Sequence, residues 1–245
     1  MTELNLLEAL RLASVLNSLH FGEVDAAVAE ARLRLMDRTS SGQPHHVSDP
    51  NGICGLETEK LIPIRLVLSK AANQGLGPWF LLTPTPGRHG GFRSASESLI
   101  QAMETGALVV EASGKMAWLP KPIGPAMQWL LVEAQRPTYP ISPAEASRNL
   151  SEAVIAIGAK LAAIDNPAGT RPDEALSVHL GEAYSTRCQR LLDRAMFLLK
   201  VADEGLKATS RALTTENVLA REKQLRSLRA ACLDAISASA SWPQG

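Results

Sequence analysis

Apolar side chains in the first twenty residues recur at helical spacing. Leu4, Leu7, Val15 and Leu19 fall on one stripe, and Leu6, Leu10 and Leu16 widen it. The spacing predicts an amphipathic helix over 3–20, stopped at Phe21-Gly22. Val24, Val28, Ala31 and Leu35 stand at i, i+4, i+7 and i+11, which predicts a second helix over 23–37 with that narrow face inward. Arg32, Arg34 and Arg38 near its end suit the negative pole of the helix dipole. Residues 39–56, TSSGQPHHVSDPNGICGL, are rich in turn formers and carry no period, so they read as a long exposed loop. Loops of that length are uncommon inside compact domains and mark mobile or functional segments.

A third helix, opening at 57 or 61, accommodates Pro63 only in its first turn and ends before Gly75. Trp79 to Leu82 is a short apolar run between Gly and Pro residues, the signature of a buried strand. Ser94 and Glu97 form a capping box for a helix over 94–105, closed by Gly106. Residues 107–111 and 115–119 flank Ala112-Ser113-Gly114 as a β-hairpin. A further helix is expected over about 123–135, carrying Met127, Leu130 and Leu131. The proline-rich run RPTYPISPAE, 136–145, then marks a boundary.

Beyond it the signals are helical. Ser142-Pro143-Ala144-Glu145 supplies an N-cap, and Leu150, Val154, Ile157, Leu161 and Ile164 repeat in alternating steps of four and three. Thr170 to Asp173 is a second capping pattern, opening a segment with Leu176, Leu180, Ala183, Leu191, Ala195, Leu198, Ala202 and Leu206 on one face. Thr214-Thr215 caps a last helix through Val218, Leu225, Leu228, Cys232 and Ile236. The expected fold is therefore mainly α. An α+β N-terminal region, 1–136, holds a small sheet or β-hairpin, and a C-terminal antiparallel three-helix bundle occupies 142–240.

Composition narrows the class. The chain has 245 residues, 45% of them hydrophobic, which is enough apolar surface to bury a core and excludes global disorder. Lys and Arg number 25 and Asp and Glu 25, so there is no chain-wide basic footprint of a nucleic-acid coat protein. Aromatics at 4% argue against an all-β sandwich. Cys54, Cys188 and Cys232 are widely spaced without a CxxC pair and read as reduced thiols. The first residues lack an export signal, and no apolar run is long enough to span a bilayer. A cytoplasmic protein with no membrane association is expected.

Three constellations carry candidate chemistry. His45-His46 with Cys54 begins a zinc ligand set but lacks the paired spacing of a finger. Gly87-Arg88-His89-Gly90-Gly91-Phe92-Arg93 offers glycines that admit an anion to backbone amides, with two guanidinium groups beside them. It matches neither a Walker loop nor GxGxxG. Helix 94–105 with hairpin 107–119 resembles the second half of a winged helix, which implies DNA contact with Arg88, Arg93, Lys115 and Lys121 as phosphate ligands. The candidate nucleic-acid or anion-binding residues are thus Arg88, His89, Arg93, Lys115 and Lys121. Arg221, Lys223, Arg226 and Arg229 form a further basic cluster on the last helix, read as a solvated face. No nucleophile elbow, HExxH or Cys-His pair is visible, so no catalytic residue, metal or cofactor is assigned. The leading expectation is a non-catalytic protein-interaction or assembly factor, working with a protein partner or by self-association. The alternatives are a DNA-binding protein and a binder of small anionic ligands.

Overall fold

The computed structural model describes residues 3–35, 44–55, 60–92, 97–164, 178–208 and 215–243. Among them, helices α1 (Glu3–His20) and α2 (Ala26–Leu35) lead into strands β1 (His45–Ser48) and β2 (Ile62–Pro63). Next come α3 (Ile64–Asn73), β3 (Trp79–Leu82), α4 (Glu97–Thr105), β4 (Leu108–Glu111), β5 (Ala117–Ile123) and β6 (Ala126–Val132). Helices α5 (Pro143–Ala162), α6 (Thr186–Lys207) and α7 (Thr215–Ser241) follow. The strands form one six-stranded mixed sheet in the order β2-β1-β6-β5-β4-β3, with β1 parallel to β6 and the other neighbours antiparallel. The expectation of a mainly helical protein is overturned: this is an α+β fold built on that sheet.

Besides Ile62–Pro63, which were expected in the first turn of α3 and form β2 with Pro63 as the N-cap, two segments account for the difference. Residues 126–132, expected as helix, form β6, because Met127, Trp129 and Leu131 alternate with polar or half-buried neighbours and fill one face of the sheet. The preceding turn is tight, pairing Ile123 with Ala126 around Gly124 at φ +55°, a Gly-first hairpin connection. Residues 45–48, expected as exposed loop, form β1 beside β6, and His45 and Val47 are buried. Strand β1 has no sequence signal of its own; its neighbours β6 and β2 supply its hydrogen bonds.

Alternation along the central strands divides the core. Trp79, Leu81, Val109, Trp118, Trp129 and Leu131 lie in a large cluster with Leu6, Leu10, Leu12 and Leu16 of α1 and with Ile64, Val67 and Leu68 of α3. Phe80, Leu82, Leu108, Val110, Ala117 and Leu119 lie in a second, with Leu99 and Ala102 of α4. Helix α1 differs from its expected amphipathic form: almost every residue from Asn5 to Leu19 is buried, as in a helix enclosed on all sides. In α2 the buried face is Ala29 and Leu33, while Val28 is 44% exposed, so the expected stripe is rotated outward. Asp25 caps the helix, its carboxylate accepting from the amides of Ala27 and Val28, both at 2.8 Å.

The three C-terminal helices, expected as a bundle of their own, instead share the core of the sheet. Helices α5 and α6 each lie along α7, and α7 in turn packs on β3 and α1. Ser142 caps α5 as expected, accepting from the Glu145 amide at 3.2 Å. Helix α6 starts only at Thr186, capped by Ser185; Leu180 and Ala183 are buried in the non-helical stretch before it. The capping patterns at Ser94, Thr170 and Thr214 lie outside the described residues.

Strand β3 is an edge strand, yet its free edge is closed. The Asn17 side chain accepts from the Trp79 amide and donates to the Trp79 carbonyl, both at 2.9 Å. Ser241 accepts from the Leu81 amide at 3.0 Å, and the Ser237 hydroxyl donates to the Leu81 carbonyl. Asn17 also meets Tyr184 Oη at 3.0 Å, and Tyr184 donates to the Ala240 carbonyl at 2.7 Å. Replacing Asn17 by Leu leaves two strand groups buried without partners, and is expected to lower unfolding free energy by roughly 2–5 kcal/mol. Tyr184→Phe removes one donor and is expected to cost about 1 kcal/mol. Urea denaturation of both variants checks the ranking.

Candidate functional site

The glycine-rich segment after β3 is a folded clasp. Thr85 and Arg88 exchange backbone hydrogen bonds of 2.9 and 2.8 Å, closing a tight turn. The Arg88 guanidinium then reaches α7, donating to both carboxylate oxygens of Asp234 at 2.7 Å and to the Ala230 carbonyl at 3.3 Å. Gly90 and Gly91 adopt φ +58° and +107°, and a Cβ at Gly90 would sit 2.6 Å from the Pro84 nitrogen. These glycines are therefore demanded by the close return of the chain onto the end of β3. Gly91 accepts from the Thr138 amide at 2.7 Å, which ties the proline-rich segment to the clasp.

That segment is further fixed by an aromatic cluster. Tyr139 stands edge-on to Phe80 at 5.0 Å, and Trp242, just past α7, lies 5.9 Å from Phe80. The Trp242 indole donates to the carbonyls of Pro140 and Ile141, each at 3.1 Å. Between clasp, segment and helices is an open cleft of about 510 Å³, with His89, Tyr139, Asn149 and the Arg88–Asp234 pair on its walls. Its fixed charges cancel, because the carboxylate of Asp234 already occupies the guanidinium that an anion would seek.

The expected cationic set is dispersed. Arg88 is engaged with Asp234, and His89 is exposed beside the cleft. Arg93 lies outside the described residues. Lys115 is exposed in the turn entering β5, and Lys121 is exposed six residues further on, roughly 20 Å away at about 3.3 Å per strand residue. Strands β4 and β5 lie between β3 and β6, so their hairpin is interior to the sheet and does not project as a wing. On α7, Arg226 pairs with Glu222 and Arg229 with Asp203.

His45 and Cys54 are separated into structural roles. His45 is buried in β1 and accepts through Nδ1 from the Trp129 indole at 3.1 Å. Cys54 is buried in a turn whose amides, Ile53 and Cys54, donate to the Asp49 carboxylate at 2.8 Å each. Among the described residues no group of three His, Cys, Asp or Glu side chains is arranged to hold a metal ion, and no helix is long and apolar enough to cross a membrane.

One surface has no sequence forecast. The face of α5 opposite its packed stripe presents Glu152, Ala156 and Ala159 at steps of four and three, with Ile155 alongside, and all four are exposed. Ile155, at 74%, is the most exposed large apolar side chain described. Of the expected stripe, Leu150 and Ile157 are buried and Val154 and Leu161 half-buried, and Ala146 joins them on the packed side. The exposed face has little sequence signal because two alanines and a glutamate carry a weak hydrophobic pattern beside the packed stripe of leucine and isoleucine.

Residues 144–237, from the first turn of α5 to near the end of α7, are similar to a family model described as "Rv1486c-like protein, C-terminal domain". No curated protein and no solved structure matches the chain.

Two measurements follow from the geometry. The side chains of Arg88 and Asp234 are 39% and 47% exposed, so a double-mutant cycle with Ala at both positions is expected to give a coupling below about 1 kcal/mol that shrinks with salt. Burial pushes the Cys54 thiol from its ordinary 9.0 to about 11, helped by the Asp49 charge, and burial pushes Cys232 to about 12. Burial also raises the Tyr184 phenol above its ordinary value. Unfolding therefore releases protons once pH passes about 9, and stability is expected to be full below that and to fall as pH rises toward 11–12. Chemical denaturation between pH 8 and 11 should show this fall, and it should be shallower in Cys54→Ala and Cys232→Ala.

Proposed function

We propose that the protein is a non-catalytic, cytoplasmic interaction or assembly factor that docks a helix of its partner along the solvent face of α5. The observation that carries this reading is Ile155, with 74% of its surface in water on a helix whose opposite side is packed. Burying such a side chain against a partner is favourable by roughly 1.5–3 kcal/mol. Ala156 and Ala159 beside it allow a second helix axis to approach closely, since interaxial distance is set by the side chains at the contact. The partner surface this face fits is an apolar helix stripe with a cation near Glu152 and an anion near Lys160.

A cytoplasmic setting agrees with Cys54, Cys188 and Cys232 standing as buried thiols outside any disulfide. The DNA-binding and anion-binding readings draw less from the geometry, since Arg88 is neutralised by Asp234 and Lys115 and Lys121 are far apart.

The test is a photo-crosslinking residue at position 155, with position 66, where an exposed leucine stands on α3, as control. A discrete stoichiometric adduct at 155 that is lost on Ala159→Arg is expected in native cells. Absence of any intermolecular adduct at 155, or equal adducts at both positions, removes the reading.

A further inference from the structure

Resting on the reading of α5 as a docking face, we infer that its occupant is the same face of a second copy of this chain, paired antiparallel about a two-fold axis at Ala156. A two-fold contact demands a surface complementary to itself, each feature meeting its symmetry mate. The solvent face of α5 meets that demand. Glu152 lies four residues before Ala156 and Lys160 four residues after it, and both are exposed. At about 1.5 Å per residue each charge stands roughly 6 Å from the axis, on opposite sides. An antiparallel second copy brings each Glu152 level with the partner's Lys160, giving two opposite-charge pairs across one apolar centre. That centre is Ile155, Ala156 and Ala159, where an exposed isoleucine gains a cover and two alanines let the helix axes close in. A parallel pairing would set each glutamate beside its own copy and each lysine likewise, so the charges select the antiparallel arrangement. The patch is small, so the dimer forms in the micromolar range rather than as an obligate assembly.

Sedimentation of the purified full chain over a concentration series tests the pairing, with Glu152→Lys, Lys160→Glu and the double exchange Glu152→Lys/Lys160→Glu. All three changes fall on exposed positions, and unchanged melting temperatures confirm that the fold is intact. The expected result is a reversible dimer weakened about tenfold or more by either single change and restored to within about threefold by the double exchange. Ile155→Glu should abolish it in the same assay.

A wild-type chain that stays monomeric to several hundred micromolar overturns the inference. So does a dimer with equal affinity in the wild type and all three charge variants. The crosslink at position 155 separates the two levels of the argument. A monomer whose residue 155 crosslinks to a different polypeptide overturns self-pairing and leaves the docking face standing. A crosslink only to residues 165–177 of the same chain overturns both.

Discussion

The free edge of β3 carries four backbone polar groups, those of Trp79 and Leu81, in a strand whose side chains are all buried. Left open, that edge would be costly and would invite pairing with another strand. Three side chains close it: Asn17 from α1 and Ser237 and Ser241 from α7. The last turns of α7, Ser237-Ala238-Ser239-Ala240-Ser241, are built of small residues, so the helix lies near enough for hydroxyls to reach the strand backbone. The first and last described helices are thereby bound to the same strand. The large core cluster accordingly runs without interruption from Leu6 to Ala240.

The clasp after β3 extends the same arrangement. Once α7 is fixed on the strand edge, Asp234 is placed to receive Arg88, and Trp242 is placed to hold Pro140 and Ile141. The glycines and arginine that suggest an anion loop in the sequence are thus consumed by packing. Gly90 and Gly91 answer steric contacts with Pro84 and Leu82, and Arg88 answers a carboxylate 146 residues away. Fixed in this way, α5 presents to solvent the one face that α7 does not cover, and that face carries the functional proposal.

Local signals were sufficient where an element's cause is local. Helix α1 was legible over its full length, as were α5 with its Ser142 cap and packed stripe, strand β3, and the β4–β5 hairpin. The Gly106 stop after α4 was equally plain, with φ +82°. Elsewhere one sequence pattern serves two structures. The run from Ala126 to Val132 contains enough apolar residues for a helix, yet only the two-residue alternation of Met127, Trp129 and Leu131 matches what lies against it. Strand β1 contains two histidines and a serine and exists because β6 offers an edge.

By itself, the sequence determined the positions of most helices, the buried strand at 79–82, the hairpin, and a core large enough for a compact fold. Those outcomes follow from periodicity, caps and glycine conformations, which act within a few residues. Tertiary structure alone decided that six strands join in one sheet, that α1 is enclosed on all sides, and that Arg88 and the glycines serve packing. It also decided that Asn17, Ser237 and Ser241 act together on β3 and that one face of α5 meets solvent. Each of these depends on hydrogen bonds or burial between residues distant along the chain, whose partners become definite only when the whole core has closed.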